Sequence, residues 1–283
     1  MPELPEVETI RRELAPEITR RRILAVRIHH DDLVLGPGTP DEFVAAVRGR
    51  RLGEPGRRAK YLLLPLHDPS RPGDPPGSLI RIQLRMTGRF WLGTEPPDPS
   101  EFRHPGIDLE LDDGRTLYYD DVRRLGGFEV LAAAAWADIE RTLGPEPLEA
   151  RFTAARLGER LAGRRAPIKN VLLDQRRVAG VGNIYASEAL FRARIDPRRG
   201  AGSLEAAEVG RLHRAIRAVL RAALRASGTT VRSYQAVNGR SGTFQNELRV
   251  YGREGDRCVR CHTPVERVVL AGRSTFLCPE CQR

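Results

Sequence analysis

The C-terminal stretch CVRCHTPVERVVLAGRSTFLCPEC, residues 258–281, contains all four cysteines of the 283-residue chain. Two Cys-x2-Cys pairs separated by sixteen residues have the spacing that places four thiolates around one zinc ion. A redox pair or two disulfides are the alternatives for this pattern. We predict one structural Zn²⁺, because clustered cysteines in a reducing compartment favour metal binding. Its predicted ligands are Cys258, Cys261, Cys278 and Cys281.

Arg273 lies between the two cysteine pairs, near the expected tip of a hairpin. A guanidinium there could clamp a phosphate with two hydrogen bonds, although an ordinary exposed arginine is the simpler interpretation. The whole chain is basic, with 47 Lys+Arg against 37 Asp+Glu and a formal net charge of +10. This charge attracts polyanions, and nucleic acid is the natural partner.

The rest of the composition indicates a globular protein long enough for two domains, with 40% apolar residues to form their cores. No run approaches the ~18 apolar residues of a membrane helix. The N-terminus MPELPEVET is acidic rather than a basic signal peptide. We therefore expect a cytosolic protein that does not associate with a membrane.

Upstream of the cysteines, the spacing of apolar residues predicts helices. The clearest spans residues 204–226, with Gly228 as its stop. Before it, GVGN at residues 180–183 precedes an apparent helix, with Asn183 predicted as its cap. Exposed amides at such a turn would bind a phosphate, and Lys169 and Arg164 add positive charge nearby, although capped helices without ligands are common.

The first ~130 residues instead predict a β-rich domain. Strand-like runs are separated by turn residues, at 23–28, 60–64, 79–84, 107–111 and 115–119. A capping box beginning at Thr39 predicts a short helix that ends at Val47. An alanine run and the LGPEPL motif, within residues 131–148, mark the predicted hinge between the two halves.

The N-terminus carries the candidate nucleophile. Removal of Met1 would leave Pro2 with a free secondary amine at the start of a helix whose apolar face is Val7, Ile10 and Leu14. Attack by such an amine on a sugar C1′ gives an iminium, and the positive helix end disfavours the protonated amine. Glu3 beside it could shuttle protons. The alternative is an ordinary helix start with acidic residues near its positive end.

Five motifs decide between these interpretations: PELPEVETIRREL, RRAKYLLL, LGPEPL, GVGNIYASEALF and ELRVYGREGDRCVRC followed by CPECQ. In this order, over essentially the whole chain, they resemble the formamidopyrimidine-DNA glycosylase family. The resemblance implies an α+β protein with an N-terminal β-sandwich and flanking helices, a helix-two-turn-helix module and a zinc-ribbon hairpin. Its expected ranges are 1–131 for the catalytic sandwich, 132–150 for the hinge, 151–243 for the helical module and 244–283 for the zinc finger.

The resemblance also implies a function and its residues. A bifunctional glycosylase/AP lyase would remove oxidised purines from damaged double-stranded DNA through a Schiff base, followed by β,δ-elimination. Pro2 resembles the nucleophile, Glu3 a proton donor, Lys60 the proton donor in β-elimination and Arg273 the arginine of δ-elimination. The remaining residues match DNA-contacting positions: His104, Arg123, Arg164, Lys169 and Asn183 as contacts, with Met86, Arg123 and Leu125 filling the space of a flipped base. The expected protein is a monomer in the bacterial cytosol or nucleoid, without an organic cofactor.

Some positions depart from the family pattern. Leu125 stands where phenylalanine is usual, Gln83 where histidine is common, and PG follows His104 in place of a histidine-containing sequence. In the base-recognition loop, residues 232–245, Thr243 stands where tyrosine is usual. Two alternatives remain: an endonuclease VIII-like enzyme for oxidised pyrimidines, against which the PELPEVET start argues, and a non-catalytic zinc-ribbon DNA-binding protein.

Overall fold

The computed structural model describes residues 2–71, 73–230, 237–239 and 241–283. Its helices and strands fall into two compact units, one formed by 1–141 with 227–243 and the other by 142–226 with 244–283. The predicted hinge at 132–150 contains a helix, Ala133–Thr142, because alanine is the strongest helix former. The segment 227–243 groups with the first unit instead of with the helical module in which the sequence prediction placed it.

The first unit is a sandwich of two antiparallel sheets. The four-stranded sheet has the order β1-β7-β8-β6, and the other has the order β2-β4-β5-β9 with β3 also paired to β4. The strands are β1 (Ile23–Ile28), β2 (Arg51–Leu52), β3 (Gly56–Arg58), β4 (Tyr61–His67), β5 (Ser78–Gln83), β6 (Gly88–Gly93), β7 (Pro105–Leu111), β8 (Thr116–Asp121) and β9 (Gly127–Ala132).

Aromatic rings join the two sheets. The ring centroids of Tyr119 and Phe128, one from each sheet, are 4.9 Å apart, and Phe90 lies 6.3 Å from Phe128. Alternating side chains of both sheets form one buried apolar cluster, which also includes residues of α1 (Leu4–Ile18) and α2 (Pro40–Val47). The predicted β-sandwich is confirmed, and α2 begins with the predicted capping box at Thr39.

The second unit is helical and ends in a hairpin. After α3 (Ala133–Thr142) its helices are α4 (Ala154–Leu161), α5 (Ile168–Leu173), α6 (Asn183–Ala193) and α7 (Ala206–Arg225). Arg217 of α7 donates to the carbonyls of Pro147 and Glu149, at 2.7 and 2.8 Å, which fixes the LGPEPL loop against the helix. No helix of the described residues is both long and apolar enough to cross a bilayer.

The C-terminal hairpin consists of β10 (Glu266–Leu270) and β11 (Arg273–Leu277). Its two turn residues, Ala271 and Gly272, have φ values of 46° and 72°, as the tightest right-twisted hairpin turns require. Arg273 is the first residue after this turn and its side chain is exposed. The prediction that Arg273 lies at the hairpin tip is confirmed.

Candidate active site and nucleic-acid interface

The N-terminal end of α1 places Pro2 and Glu3 side by side in a buried position. Glu3 is the N-cap residue and is 2% exposed, and Pro2 is also buried. The backbone N–H of Glu3 donates to Oε2 of Glu6 at 2.8 Å, as part of a capping box. The positive end of the helix dipole therefore lies beside the nitrogen of Pro2. Met1 lies outside the described residues.

Glu6 also binds the segment that returns to the first unit after α7. Its Oε1 accepts the backbone N–H of Thr229 at 2.8 Å. Gly228 has a φ of +86°, and a Cβ there would lie 2.9 Å from Glu6 Oε1, so the close approach requires glycine. Local sequence indicates for Glu6 only a favourable charge at the helix start, because its partner Thr229 lies 223 positions away.

Lys60 lies in the two-residue turn between β3 and β4. The preceding residue, Ala59, has a left-handed φ of 53°, and its carbonyl accepts a hydrogen bond of 2.8 Å from Nη1 of Arg57. Nε of Arg57 in turn donates to Glu8 of α1 at 3.2 Å. Helix α1, which begins two residues after Pro2, is thus tied by side chains to the turn that carries Lys60. These two positioning residues, Glu8 and Arg57, were missed by sequence reasoning.

Two neighbouring loops carry the three side chains predicted to fill the space of a flipped base. Met86 and Leu125 are 38% and 47% exposed, which is unusual for large apolar residues. Nη1 of Arg123 lies 3.0 Å from Sδ of Met86, so the structure brings these two together. Leu125 lies in the same loop as Arg123, between β8 and β9.

A buried acidic pair at the end of β8 holds these loops. Asp121 is 0% exposed and accepts the N–H of Gly126 at 2.7 Å, and its carboxylate also accepts from the hydroxyl of Thr87. Asp120 accepts the N–H of His104 at 2.5 Å, which leaves the exposed His104 ring at the surface. Sequence reasoning missed both residues. The sequence does contain a signal for them. Asp120 and Asp121 directly follow the apolar positions of a strand, and an arginine pair comes shortly after them.

In the second unit, Lys169 and Asn183 converge on the hairpin next to Arg273. Nζ of Lys169 donates to the carbonyl of Ser274 at 3.1 Å and to Oγ1 of Thr275 at 2.7 Å, and the residue is 0% exposed. Nδ2 of Asn183 donates to the same Ser274 carbonyl at 3.0 Å. Both side chains therefore fix the hairpin backbone at Ser274, the residue directly after Arg273.

The prediction that Asn183 caps α6 is wrong. Gly182 is the N-cap residue, and Asn183 is the first residue of the helix. The amide of Asn183 is directed instead to Ser274, a partner that local sequence spacing does not reveal. Arg164, by contrast, is exposed in the turn after α4.

The four cysteines form the predicted metal site. Their Sγ atoms all lie within 4.8 Å of one another, with Cys258 to Cys281 at 3.9 Å and Cys261 to Cys278 at 3.4 Å. A tetrahedral zinc site, with Zn–S bonds of about 2.3 Å, needs sulfurs about 3.8 Å apart. These separations are well beyond the ~2.05 Å of a disulfide bond, which argues against the two disulfides. The donor set and its spacing fit zinc.

The electrostatics of the cysteines also fit a dication. Hydrogen bonds involving Thr263 lower the pKa of the Cys261 thiol to about 6, which favours its thiolate. Burial raises the pKa of Cys278 and of Cys281. A bound metal ion is what allows all four to be thiolates together.

Three family models match the chain in order. They describe the formamidopyrimidine-DNA glycosylase N-terminal domain over residues 1–128, the H2TH domain of the same proteins over 143–235, and a zinc finger found in FPG and IleRS over 255–283. Together they define the architecture of a zinc-finger DNA glycosylase.

Curated proteins and solved structures agree along the full length. The chain is 45% identical to the formamidopyrimidine-DNA glycosylase of Chloroflexus aurantiacus, covering 100% of this chain and 98% of the relative. It is similar to the crystal structure of Thermus thermophilus MutM (FPG), at 42% identity, a TM-score of 0.85, and 99% and 98% coverage. A Lactococcus lactis FPG mutant in complex with Fapy-dG DNA has a TM-score of 0.89 at 32% identity, with 100% of each chain covered. The chain belongs to the formamidopyrimidine-DNA glycosylase family.

Proposed function

We propose that this member of the family removes oxidised purines from double-stranded DNA with the amine of Pro2 and then cleaves the strand. The chain is a DNA glycosylase with AP lyase activity. The observation that carries the assignment of the nucleophile is the buried pair Pro2 and Glu3 at the positive end of α1. Related Lactococcus lactis proteins have been solved with Fapy-dG DNA and with DNA containing an abasic site, which supports both parts of the reaction.

In the first step, the lone pair of the Pro2 nitrogen attacks C1′ of the damaged nucleotide. The bond between C1′ and the base breaks, and the base leaves with the electron pair and takes up a proton. The Pro2 nitrogen loses its proton on attack, and the sugar ring then opens to give an iminium between Pro2 and C1′. Glu3 is adjacent to Pro2 and supplies or accepts the protons of this exchange.

In the second step, the iminium makes the hydrogens on C2′ acidic. Loss of one of these protons breaks the bond from C3′ to its phosphate oxygen, which is β-elimination. Lys60 donates a proton in this step, and Arg273 assists the later break at C5′, which is δ-elimination. Two placements support these assignments. Arg57 and Glu8 tie the turn that carries Lys60 to α1, and Arg273 is exposed at the hairpin tip.

The same proposal assigns the DNA contacts. A base inside the stack cannot be reached, so the damaged nucleotide is extruded and the space is filled by Met86, Arg123 and Leu125. Phosphates are contacted by His104, Arg164 and Asn183. The 0% exposure of Lys169 and its hydrogen bond to Thr275 favour an indirect role for this predicted contact, through the hairpin. Zinc, when bound by the four cysteines, supplies structure to the finger that carries Arg273.

The curated relatives at 43–45% identity are bacterial proteins, which supports action on chromosomal DNA in a bacterial cytosol. Neither base removal nor strand cleavage needs an organic cofactor or a second copy of the chain, so we propose a monomer.

Borohydride trapping tests the proposal. Untagged protein, with removal of Met1 verified by intact mass, is reduced on duplexes with an oxidised guanine, an oxidised pyrimidine or an abasic site. We expect a covalent adduct on the oxidised-guanine duplex that is lost in Pro2→Gly. An adduct on the pyrimidine lesion alone would favour an endonuclease VIII-like enzyme. Binding without any adduct would leave a non-catalytic DNA-binding protein.

A further inference from the structure

Four arginines form one continuous row along α7. Arg214, Arg217, Arg221 and Arg225 follow one another at intervals of three or four residues, so their side chains share one side of the helix. Arg214, Arg221 and Arg225 are exposed, and Arg217 is half-buried. At about 1.5 Å per residue the row extends over about 16 Å. We call these four residues the α7 arginine face.

No acidic side chain neutralises this face in the part of the chain that the structure describes. Glu208 of α7 lies 3.6 Å from Arg211, and both are outside the row. Arg214, Arg221 and Arg225 have neither an ion pair nor a hydrogen bond among the described residues. The face therefore carries uncompensated positive charge.

Such a row of like charges opposes formation of the helix. Arg217 and Arg221 are four residues apart, and so are Arg221 and Arg225, a spacing at which like charges destabilise a helix. Burial lowers the pKa of Arg217, and the charge of Arg221 lowers it further. The guanidinium of Arg217 is held by the uncharged carbonyls of Pro147 and Glu149, which leave its charge in place. A bound polyanion would relieve this repulsion.

The buried side of α7 determines where the arginine face lies. Val219 and Ala223 are buried, and Val219 lines a cavity together with Glu188 of α6. Because successive residues of a helix are rotated by about 100°, the arginine row lies on the opposite side of α7 from Val219 and Ala223. Helix α6 begins at Asn183, whose amide fixes the finger hairpin. The arginine face is therefore turned away from the helix that holds this hairpin.

We propose that the α7 arginine face binds the phosphate backbone of a second DNA duplex while the first duplex is held at its lesion. Double-stranded DNA is the polyanion on which the proposed function acts, and the inference rests on that function only for the identity of this partner. A duplex carries one charge per about 3.4 Å of each strand, so a row of about 16 Å can face several phosphates.

The second contact has a different purpose from the first. Guanidiniums that bind phosphates do not read the sequence of bases, so the face does not recognise the lesion. Contacts of this kind let a protein move along DNA and between its segments. The α7 arginine face therefore serves transfer from one DNA segment to another during the search for damage.

The test starts from protein that borohydride has trapped on one abasic-site duplex and that has been purified free of other DNA. A short, fluorescent, undamaged duplex is then titrated into this adduct, and its anisotropy is measured at several salt concentrations. We expect the adduct to bind the second duplex. The slope of log affinity against log salt should be about −2.7, which corresponds to three phosphate contacts.

Two double variants make the test specific to this face. Arg214→Ala with Arg221→Ala should bind the second duplex about tenfold more weakly, and the slope should shrink by about 1.8. Its Tm should not fall, because removal of like charges relieves repulsion along α7. The matched control is Arg141→Ala with Arg198→Ala, which removes two exposed arginines that each pair with a nearby aspartate. It should change neither the affinity nor the slope.

Three results would overturn the inference. A wild-type adduct that does not bind the second duplex would show that the face is only solvated. Equal losses in both double variants would show that net charge, and not this face, attracts the duplex. Binding of the adduct to vesicles of an anionic phospholipid, without binding to the duplex, would assign the face to a membrane. Failure of the proposed function would look different, since the wild-type protein would then form no adduct on the first duplex.

Discussion

The sandwich and the zinc finger are held together by different means. In the sandwich, apolar side chains from both sheets, α1 and α2 form one buried cluster with aromatic contacts across its middle. The cluster at the finger is far smaller, and two of its six buried members, Cys258 and Cys278, are metal ligands. Burial of apolar area supplies the stability of the first region, whereas the second depends on an ion.

Because of this difference, the nucleophile and the DNA-binding finger depend on different sources of stability. The nucleophile lies on a helix packed into the large core, while Arg273 lies on a hairpin whose base is fixed by two cysteine knuckles. A large core loses stability gradually as single residues change, but a site of four ligands loses its ion when one is removed. Damage to the finger should therefore remove DNA contacts and leave the sandwich folded.

Loss of zinc is the change with the largest expected effect. Chelation, or Cys258→Ser, should lower affinity for an abasic-site duplex about a hundredfold or more, because the hairpin loses the ligands that fix it. Hydrogen exchange should become fast in β10 and β11 and stay slow in β4 and β5. Added Zn²⁺ should restore the chelated wild type and serve as the control. Equally fast exchange in both regions would show that the sandwich does not stay folded when the finger loses its zinc.

A smaller effect is expected from Lys169→Met, which tests whether Lys169 positions the hairpin or contacts a phosphate. The variant fills the same space but removes both hydrogen bonds to the hairpin, so affinity for DNA should fall about tenfold. If Lys169 only positions the hairpin, the slope of log affinity against log salt should not change. A direct phosphate contact would instead reduce the slope by about one. Arg164→Ala, at an exposed arginine, is the matched control and should show that reduction.

Local patterns in the sequence predicted much of both regions. The bounds of β1, Ile23–Ile28, and the capping box at Thr39 follow from residue order alone, and so do the four zinc ligands. These features depend on neighbours within a few residues, or on a spacing that one metal ion imposes.

Features that depend on distant partners were not predictable. β9 was missed because its place is set by pairing with β5, and the alanines after it suggested a hinge where a helix forms. The short strand β6 is bounded by glycines, which weakens its pattern. Among the site residues, the resemblance supplied Lys169, but its contact with Thr275 lies across 106 positions of the chain. Periodicity contains no information about such a pair.

The smallest expected effect comes from a polar contact on the sandwich. Glu8 lies against Arg11, Arg12 and Arg57 at 2.8–3.2 Å. Burial raises the pKa of Glu8, but hydrogen bonds and charge from these arginines outweigh it, so the pKa lies below its usual value. A lowered pKa in the folded state means that the ionised form stabilises the fold above the ordinary glutamate pKa of about 4.3, and that this contribution is lost as the pH falls below it.

Glu8→Gln should therefore lower the stability of the sandwich by about 1 kcal/mol at pH 7, and the difference from wild type should shrink as the pH falls below about 4. Thermal unfolding of both proteins across this pH range measures it, with Glu17→Gln as an exposed control that should change little. A difference that does not depend on pH would mean that packing of the side chain, and not its charge, is what α1 gains from Glu8. A difference of several kcal/mol would contradict the view that the apolar core dominates this region.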